Sequence, residues 1–288
     1  MGERERLIDA VSARVLELLA AQGDGSCADC EGACAAQCSD KVRAMVAVGA
    51  ERVSYNGAGG EVPGDLAAFI DHTLLKPDAT PGDIDRLCDE AAEYGFASVC
   101  VNPVWVRRAA ARLRGSGVKV TSVVGFPLGA HAPEIKGLET RRALRDGARE
   151  IDMVINVGAL KAGDLDLVRQ DIARVAEACR EVGATSKVII EAALLTDEEK
   201  VVASRLARQA KADFVKTSTG FGPGGAQLFD VGLMREAVGP GRGVNAAGGI
   251  KTREQVQEFI AAGATRIGAS AGISIVSGKE GGGDGGRY

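Results

Sequence analysis

From Leu66 onward, eight short apolar or β-branched runs alternate with stretches of helical periodicity, and few folds are open to a chain built this way. The strand signals fall at 69–75, 98–102, 118–125, 151–157, 187–193, 214–219, 243–249 and 266–270. Helical patterns lie between them, near 82–94, 103–114, 133–146, 164–181, 197–210, 225–238 and 252–262. Eight strands joined by helices is the count of an α/β fold, the (β/α)8 TIM barrel. A doubly wound open sheet is the alternative. It usually has fewer strands, and no G-x-G-x-x-G follows the first strand here.

In such a barrel the helices cover the outer strand faces. Polar side chains inside strands therefore point inward or gather at the C-terminal rim, where barrel active sites sit. The first strand carries Asp71, the fourth Asp152 and Asn156, and the fifth Lys187 and Glu191. The sixth carries Lys216 with Thr217 and Ser218, and the seventh Asn245. Each singly reads as a core ion pair or a snorkelling lysine. Acids and lysines converging in one apolar tube favour a reactive site.

Lysine chemistry narrows the reaction class. In the run Asp213-Phe214-Val215-Lys216-Thr217-Ser218-Thr219-Gly220, alternation puts Phe214, Lys216 and Ser218 on one face. A lysine attacks a carbonyl only when neutral, so its pKa must fall from ~10.4 towards neutrality. A second ammonium nearby lowers it, and Lys187 on the adjacent fifth strand is placed to do so. The iminium that results is an electron sink, which permits a carbon–carbon bond to break, and Asp152 can relay the proton. Gly248-Gly249 ends the seventh strand and Gly268-Ala269-Ser270 the eighth. Barrels often bind phosphate with the loops after those two strands; plain tight turns are the other reading.

Ahead of the barrel, residues 3–21 carry an amphipathic pattern: Leu7, Ile8, Val11, Val15, Leu18 and Leu19 recur at helical spacing. Residues 22–40 read as a linker rich in small residues. Within it, Cys27, Cys30, Cys34 and Cys38 are spaced C-x2-C-x3-C-x3-C, which suits zinc or an iron–sulfur cluster or, alternatively, free thiols. A helix over 41–55 leads into the barrel, and 278–288 forms a glycine-rich tail ending in Tyr288. Seven cysteines, an odd number, fit a reducing cytoplasm better than a disulfide framework. A net charge of −4 argues against a nucleic-acid binder. No apolar run reaches the ~20 residues of a membrane span, and no secretory signal is evident.

The motifs together resemble the deoxyribose-phosphate aldolase family. They are Asp71-His72-Thr73-Leu74-Leu75-Lys76-Pro77, Val99-Cys100-Val101-Asn102-Pro103, Val124-Gly125-Phe126-Pro127-Leu128-Gly129, residues 150–160, Lys187-Val188-Ile189-Ile190-Glu191 and Phe214-Val215-Lys216-Thr217-Ser218-Thr219-Gly220. The likeness spans residues 41–277. It implies a class I, metal-independent aldolase that cleaves 2-deoxy-D-ribose 5-phosphate to acetaldehyde and glyceraldehyde 3-phosphate. Lys216 would be the Schiff-base lysine, Asp152 the proton relay and Lys187 the cation lowering the Lys216 pKa. Asp71, Cys100, Thr217, Ser218 and Gly268 would meet substrate, with Gly248, Gly249 and Ser270 in the phosphate cradle. The resemblance implies no cofactor beyond the imine, a phosphorylated sugar as substrate, and a homodimer or higher homo-oligomer. It also lends a role to Tyr288, since some members use a C-terminal tyrosine in proton transfer. The segment 3–21 resembles peptides that dock enzymes onto bacterial microcompartment shells, which adds a shell protein as a partner.

One position departs from the pattern. The family has a lysine in the seventh strand, in G-V-K-A-A-G-G-I, where this chain reads Gly243-Val244-Asn245-Ala246-Ala247-Gly248-Gly249-Ile250. Three outcomes stay open: Lys187 alone suffices with a higher pH optimum, the substrate has changed, or the barrel keeps phosphate-ester binding and has lost turnover.

Overall fold

The computed structural model describes residues 64–278. The expectations at 3–21, 22–40 and 41–55, with the four N-terminal cysteines and Tyr288, lie outside them. Eight parallel strands close in chain order, β8 pairing with β1. They are β1 (Ile70–Leu74), β2 (Ser98–Val101), β3 (Lys119–Val124), β4 (Glu150–Val154), β5 (Thr185–Ile189), β6 (Phe214–Lys216), β7 (Gly243–Ala247) and β8 (Arg266–Ala269). The helices are α1 (Pro81–Tyr94), α2 (Val106–Arg112), α3 (Pro133–Asp146), α4 (Val157–Lys161), α5 (Leu165–Glu181), α6 (Asp197–Gln209), α7 (Leu228–Val238), α8 (Arg253–Ala261) and α9 (Gly272–Ser277). The chain is a (β/α)8 barrel.

Alternation along each strand sorts the core into two compartments. Val99, Val101, Ile151, Met153, Val188, Val215, Val244 and Ile267 lie in one apolar layer with Ile84, Leu87, Val168, Ile172 and Val175 from the helices. The intervening positions, Asp71, Ser98, Thr121, Glu150, Asp152, Lys187, Lys216 and Asn245, are also buried but bond to one another within the barrel. Helix ends follow local chemistry. Thr80, Thr196 and Thr252 begin α1, α6 and α8 as capping boxes with Asp83, Glu199 and Gln255. Among the described residues no helix is long and apolar enough to cross a membrane.

Several strands end before their apolar runs do. β4 stops at Val154, so Asn156 is not a strand residue: it caps α4, its Oδ1 accepting from the Ala159 amide at 3.0 Å. β5 stops at Ile189, and Glu191 lies beyond it with φ 52°, in the left-handed region. Thr217, Ser218, Gly248 and Gly249 likewise follow the last residues of β6 and β7. Apolar character persists here because backbone bonds between neighbouring strands run on past these ends, as from Ile155 N to Ile189 O and from Ile190 N to Lys216 O, and the positions between stay buried. Helix α7 begins at Leu228, three residues later than the sequence suggests. Helices α4 and α9 were not anticipated, since five or six residues show no readable period.

Candidate active site

Lys216 is the last residue of β6, beside Ile189 of β5 and Asn245 of β7. Its side chain is only 4% exposed, and its Nζ lies 2.7 Å from Asp152 Oδ2. The other carboxylate oxygen, Asp152 Oδ1, lies 2.8 Å from the Lys187 Nζ. Asp152 and Lys187 are register partners on β4 and β5, so sheet pairing alone brings them together. Lys187 also meets Glu150 Oε2 at 2.7 Å and Asp71 Oδ2 at 3.5 Å.

Two charged residues in this network escaped the sequence reading. Glu150 opens β4 two positions before Asp152, and Arg266 opens β8. Arg266 Nη1 donates to Asp71 Oδ1 at 2.6 Å and to Glu150 Oε2 at 3.1 Å, and Nη2 donates to Glu150 Oε1. Period-two alternation would have found Glu150, which shares the face of Asp152. An arginine opening a strand reads as solvent-exposed, and only barrel closure folds it inward. Ser98 Oγ and Asn245 Nδ2 complete the ring on Asp71, at 2.6 and 2.9 Å. Cations and carboxylates thus interleave through a dry tube, each neutralised by neighbours.

Burial acts to lower the Lys216 amine, but contact with ionised Asp152 outweighs it, and the net shift is upward. Lys187 pushes the Lys216 pKa down, but Asp152 between the two ammoniums overrides it. Lys187 itself is raised: burial opposes its charge, and Asp152, Asp71 and Glu150 restore it. Burial acts to raise Asp152, yet the two lysines hold it below the ordinary carboxylate range. Burial pushes the Cys100 thiol up to about 12, so it is a neutral wall, packed with Leu75, Val123 and Phe126.

Residues 66–278 match the sequence profile of the family described as DeoC/LacD family aldolase. The chain is 58% identical over 214 residues to the deoxyribose-phosphate aldolase of Streptococcus gordonii, covering 74% of this chain and 96% of that protein. It is 59% identical over 216 residues to that of Thermococcus gammatolerans, with the same coverage of both proteins. Its fold matches the tetrameric deoxyribose phosphate aldolase from Aeropyrum pernix, at 33% identity and TM-score 0.70, over 82% of this chain and 96% of that one.

The chain belongs to the DeoC/LacD aldolase family.

Around this DeoC/LacD lysine the remaining sequence-predicted residues divide into groups. Ser218 and Gly248 approach closely: a Cβ on Gly248 would lie 3.5 Å from Ser218 Cβ and 3.0 Å from Gly225 Cα. Gly248 and Gly249 have φ 93° and 80°, and Gly248 O accepts from the Ala226 amide at 3.1 Å. A side chain at Gly248 would crowd this approach, and both residues hold a left-handed backbone that favours glycine. The Ser218 hydroxyl is buried without a hydrogen-bond partner among the described residues. Thr217 is committed elsewhere, its Oγ1 donating to Ala247 O and accepting from Ala247 N, both at 3.0 Å. Ser270 is exposed just past β8, and Gly268 sits within the barrel beside Lys216. Among the described residues no group of three or more His, Cys, Asp or Glu side chains is arranged to hold a metal ion.

Proposed function

We propose that this chain is a class I aldolase that cleaves 2-deoxy-D-ribose 5-phosphate into acetaldehyde and D-glyceraldehyde 3-phosphate through an imine on Lys216. The observation that carries the reading is the buried Lys216–Asp152 contact at 2.7 Å at the C-terminal end of a barrel strand. Asp152 accepts the Lys216 proton, leaving a neutral amine to attack the C1 aldehyde. Protonated Asp152 then assists departure of water from the carbinolamine. As carboxylate again, it takes the proton from the C3 hydroxyl while the C2–C3 electron pair moves into the iminium. Protonation of the enamine at C2 and hydrolysis release acetaldehyde. Lys187 holds Asp152 in place and keeps it acidic. The backbone at Ser218, Gly248 and Gly249, with Ser270 beyond β8, offers the phosphate its N–H donors.

The test is borohydride reduction in the presence of substrate, followed by mass mapping. A two-carbon or sugar-phosphate increment on Lys216, lost in Lys216→Arg together with turnover, is the expected result. Turnover that survives Lys216→Arg would overturn the assignment. The second reading, a barrel that binds phosphate esters without turnover, is favoured by Asn245 standing where the resemblance places a lysine. Phosphate-ester binding with no adduct at any pH would establish it.

Acetaldehyde is volatile and reactive, which gives the amphipathic pattern at 3–21 a purpose in a cytoplasmic enzyme: docking to a microcompartment shell keeps the product for its consumers. Diffuse fluorescence from a reporter fused to residues 1–25, in cells making shells, would refute this. The Aeropyrum relative is described as tetrameric, and a homo-oligomer is proposed here too.

A further inference from the structure

Asn245 does more than remove a charge. Its Nδ2 donates to Asp71 Oδ2 at 2.9 Å. Asp71 already accepts from Arg266 and Ser98, so only the NH2 end of the amide can face it. That fixes the side-chain orientation on chemical grounds. Its other end, Oδ1, is fully buried and has no hydrogen-bond partner among the described residues. An orphaned buried acceptor is costly.

Its surroundings say where it points. Asn245 is the register partner of Lys216. The position that a Cβ on Gly268 would occupy lies 3.6 Å from Lys216 Nζ and 3.7 Å from Asn245 Oδ1. The same position lies 3.0 Å from Ala247 Cβ, so a side chain at 268 would crowd the point that the amine and the unused acceptor flank. An imine formed on Lys216 bonds C1 to that nitrogen and sets C2 one bond further, so a substituent on C2 is the substrate group placed to reach Oδ1. A lysine at 245 would bring donors to this place and no acceptor.

We propose that Asn245 Oδ1 accepts a hydrogen bond from a hydroxyl on C2, so that the site takes aldose 5-phosphates hydroxylated at C2, and glycolaldehyde as two-carbon donor, alongside the deoxy sugar. The inference rests on the imine at Lys216 argued above. The chemistry balances without a further reagent. The C2–C3 bond breaks, the C3 hydroxyl proton passes to Asp152, and the electron pair enters the iminium to give a hydroxy-enamine. Protonation at C2 and addition of the water lost in imine formation release glycolaldehyde and glyceraldehyde 3-phosphate.

The experiment measures glyceraldehyde 3-phosphate release by the full chain from D-ribose 5-phosphate, D-arabinose 5-phosphate (its C2 epimer) and 2-deoxy-D-ribose 5-phosphate. Asn245→Leu and Asn245→Lys are measured alongside. One of the two epimers is cleaved by the unsubstituted chain, and glycolaldehyde competes with acetaldehyde as donor in the reverse direction. The ratio of kcat/KM for that epimer to kcat/KM for the deoxy sugar falls about tenfold in Asn245→Leu, which keeps the branching and loses the acceptor together with the donor to Asp71. It falls also in Asn245→Lys, which serves if the leucine variant does not fold. Turnover of the deoxy sugar with neither epimer cleaved, or ratios unchanged by both substitutions, would overturn the proposal. No turnover of any sugar together with no adduct on Lys216 would overturn the aldolase reading itself.

Discussion

Asp152 and Lys187 face each other in register across β4 and β5, and their charged atoms meet at 2.8 Å with neither side chain exposed. The same carboxylate reaches Lys216 with its second oxygen, so a single group couples the two amines. Asp152→Asn leaves both lysines without their shared counter-ion. Kcat should drop by about 10²–10⁴, the usual worth of a positioned acid–base group. Removing the negative neighbour also favours neutral Lys216, so the pH midpoint of borohydride trapping should move down. Steady-state rates and trapping profiles of the same variant check both.

The upward shift of Lys216 means that its neutral fraction grows as pH rises, and so should the rate. Asn245→Lys adds a cation beside Lys216, which disfavours the second ammonium and lowers its pKa. The rising limb of the pH–rate profile should move to lower pH, with a higher rate on deoxyribose phosphate at neutral pH. An unmoved limb would show that charge at position 245 does not govern the amine.

Lys136 on α3 is wholly buried, donating to Val154 O at 2.8 Å and to Asp171 Oδ2 at 2.5 Å. Lys136→Met strands Asp171 and should cost about 3–5 kcal/mol. Burial already raises the Asp171 pKa, and loss of the lysine raises it further. A raised folded-state carboxyl favours the folded protein once protonated. The stability deficit should therefore be full at neutral pH and shrink in acid, as pH falls through the folded Asp171 value. Urea melts of both proteins at several pH values measure this.

Glu191 holds the loop after β6. Its Oε2 accepts from the Thr219 amide at 3.2 Å and from the Thr219 hydroxyl, and a Cβ on Gly222 would lie 2.8 Å from Glu191 Cδ. That loop leads to Gly225, which presses against Gly248. Glu191→Ala should raise KM for the phosphorylated substrate about tenfold, the scale of a lost charged hydrogen bond, with a smaller change in kcat. Glu191→Gln keeps an acceptor for Thr219 and should recover most of it.

Strand count, the inward face of each strand and the burial of Lys216 were legible because each is local. Asp71, Asp152, Lys187 and Lys216 stand out as polar residues in apolar runs, and period-two alternation assigns their face without knowledge of any neighbour. Strand ends were less legible. Asn156 and Glu191 sit at the ends of apolar runs whose backbone bonds to neighbouring strands continue past the strand proper.

Partnership was decided only by the closed barrel. Lys216 meets Asp152 across 64 residues of sequence, and Arg266 meets Asp71 across 195. Such contacts depend on register and closure, which no local pattern encodes. The sequence alone determined that a lysine would be buried among acids. The tertiary structure determined that Asp152 bridges two amines, that Arg266 and Glu150 join the network, and that Asn245 gives its NH2 to Asp71 and leaves its oxygen without a partner among the described residues. The physical reason is that a side chain's face follows from its own strand, whereas its charge state and hydrogen-bond orientation follow from whichever strands close around it.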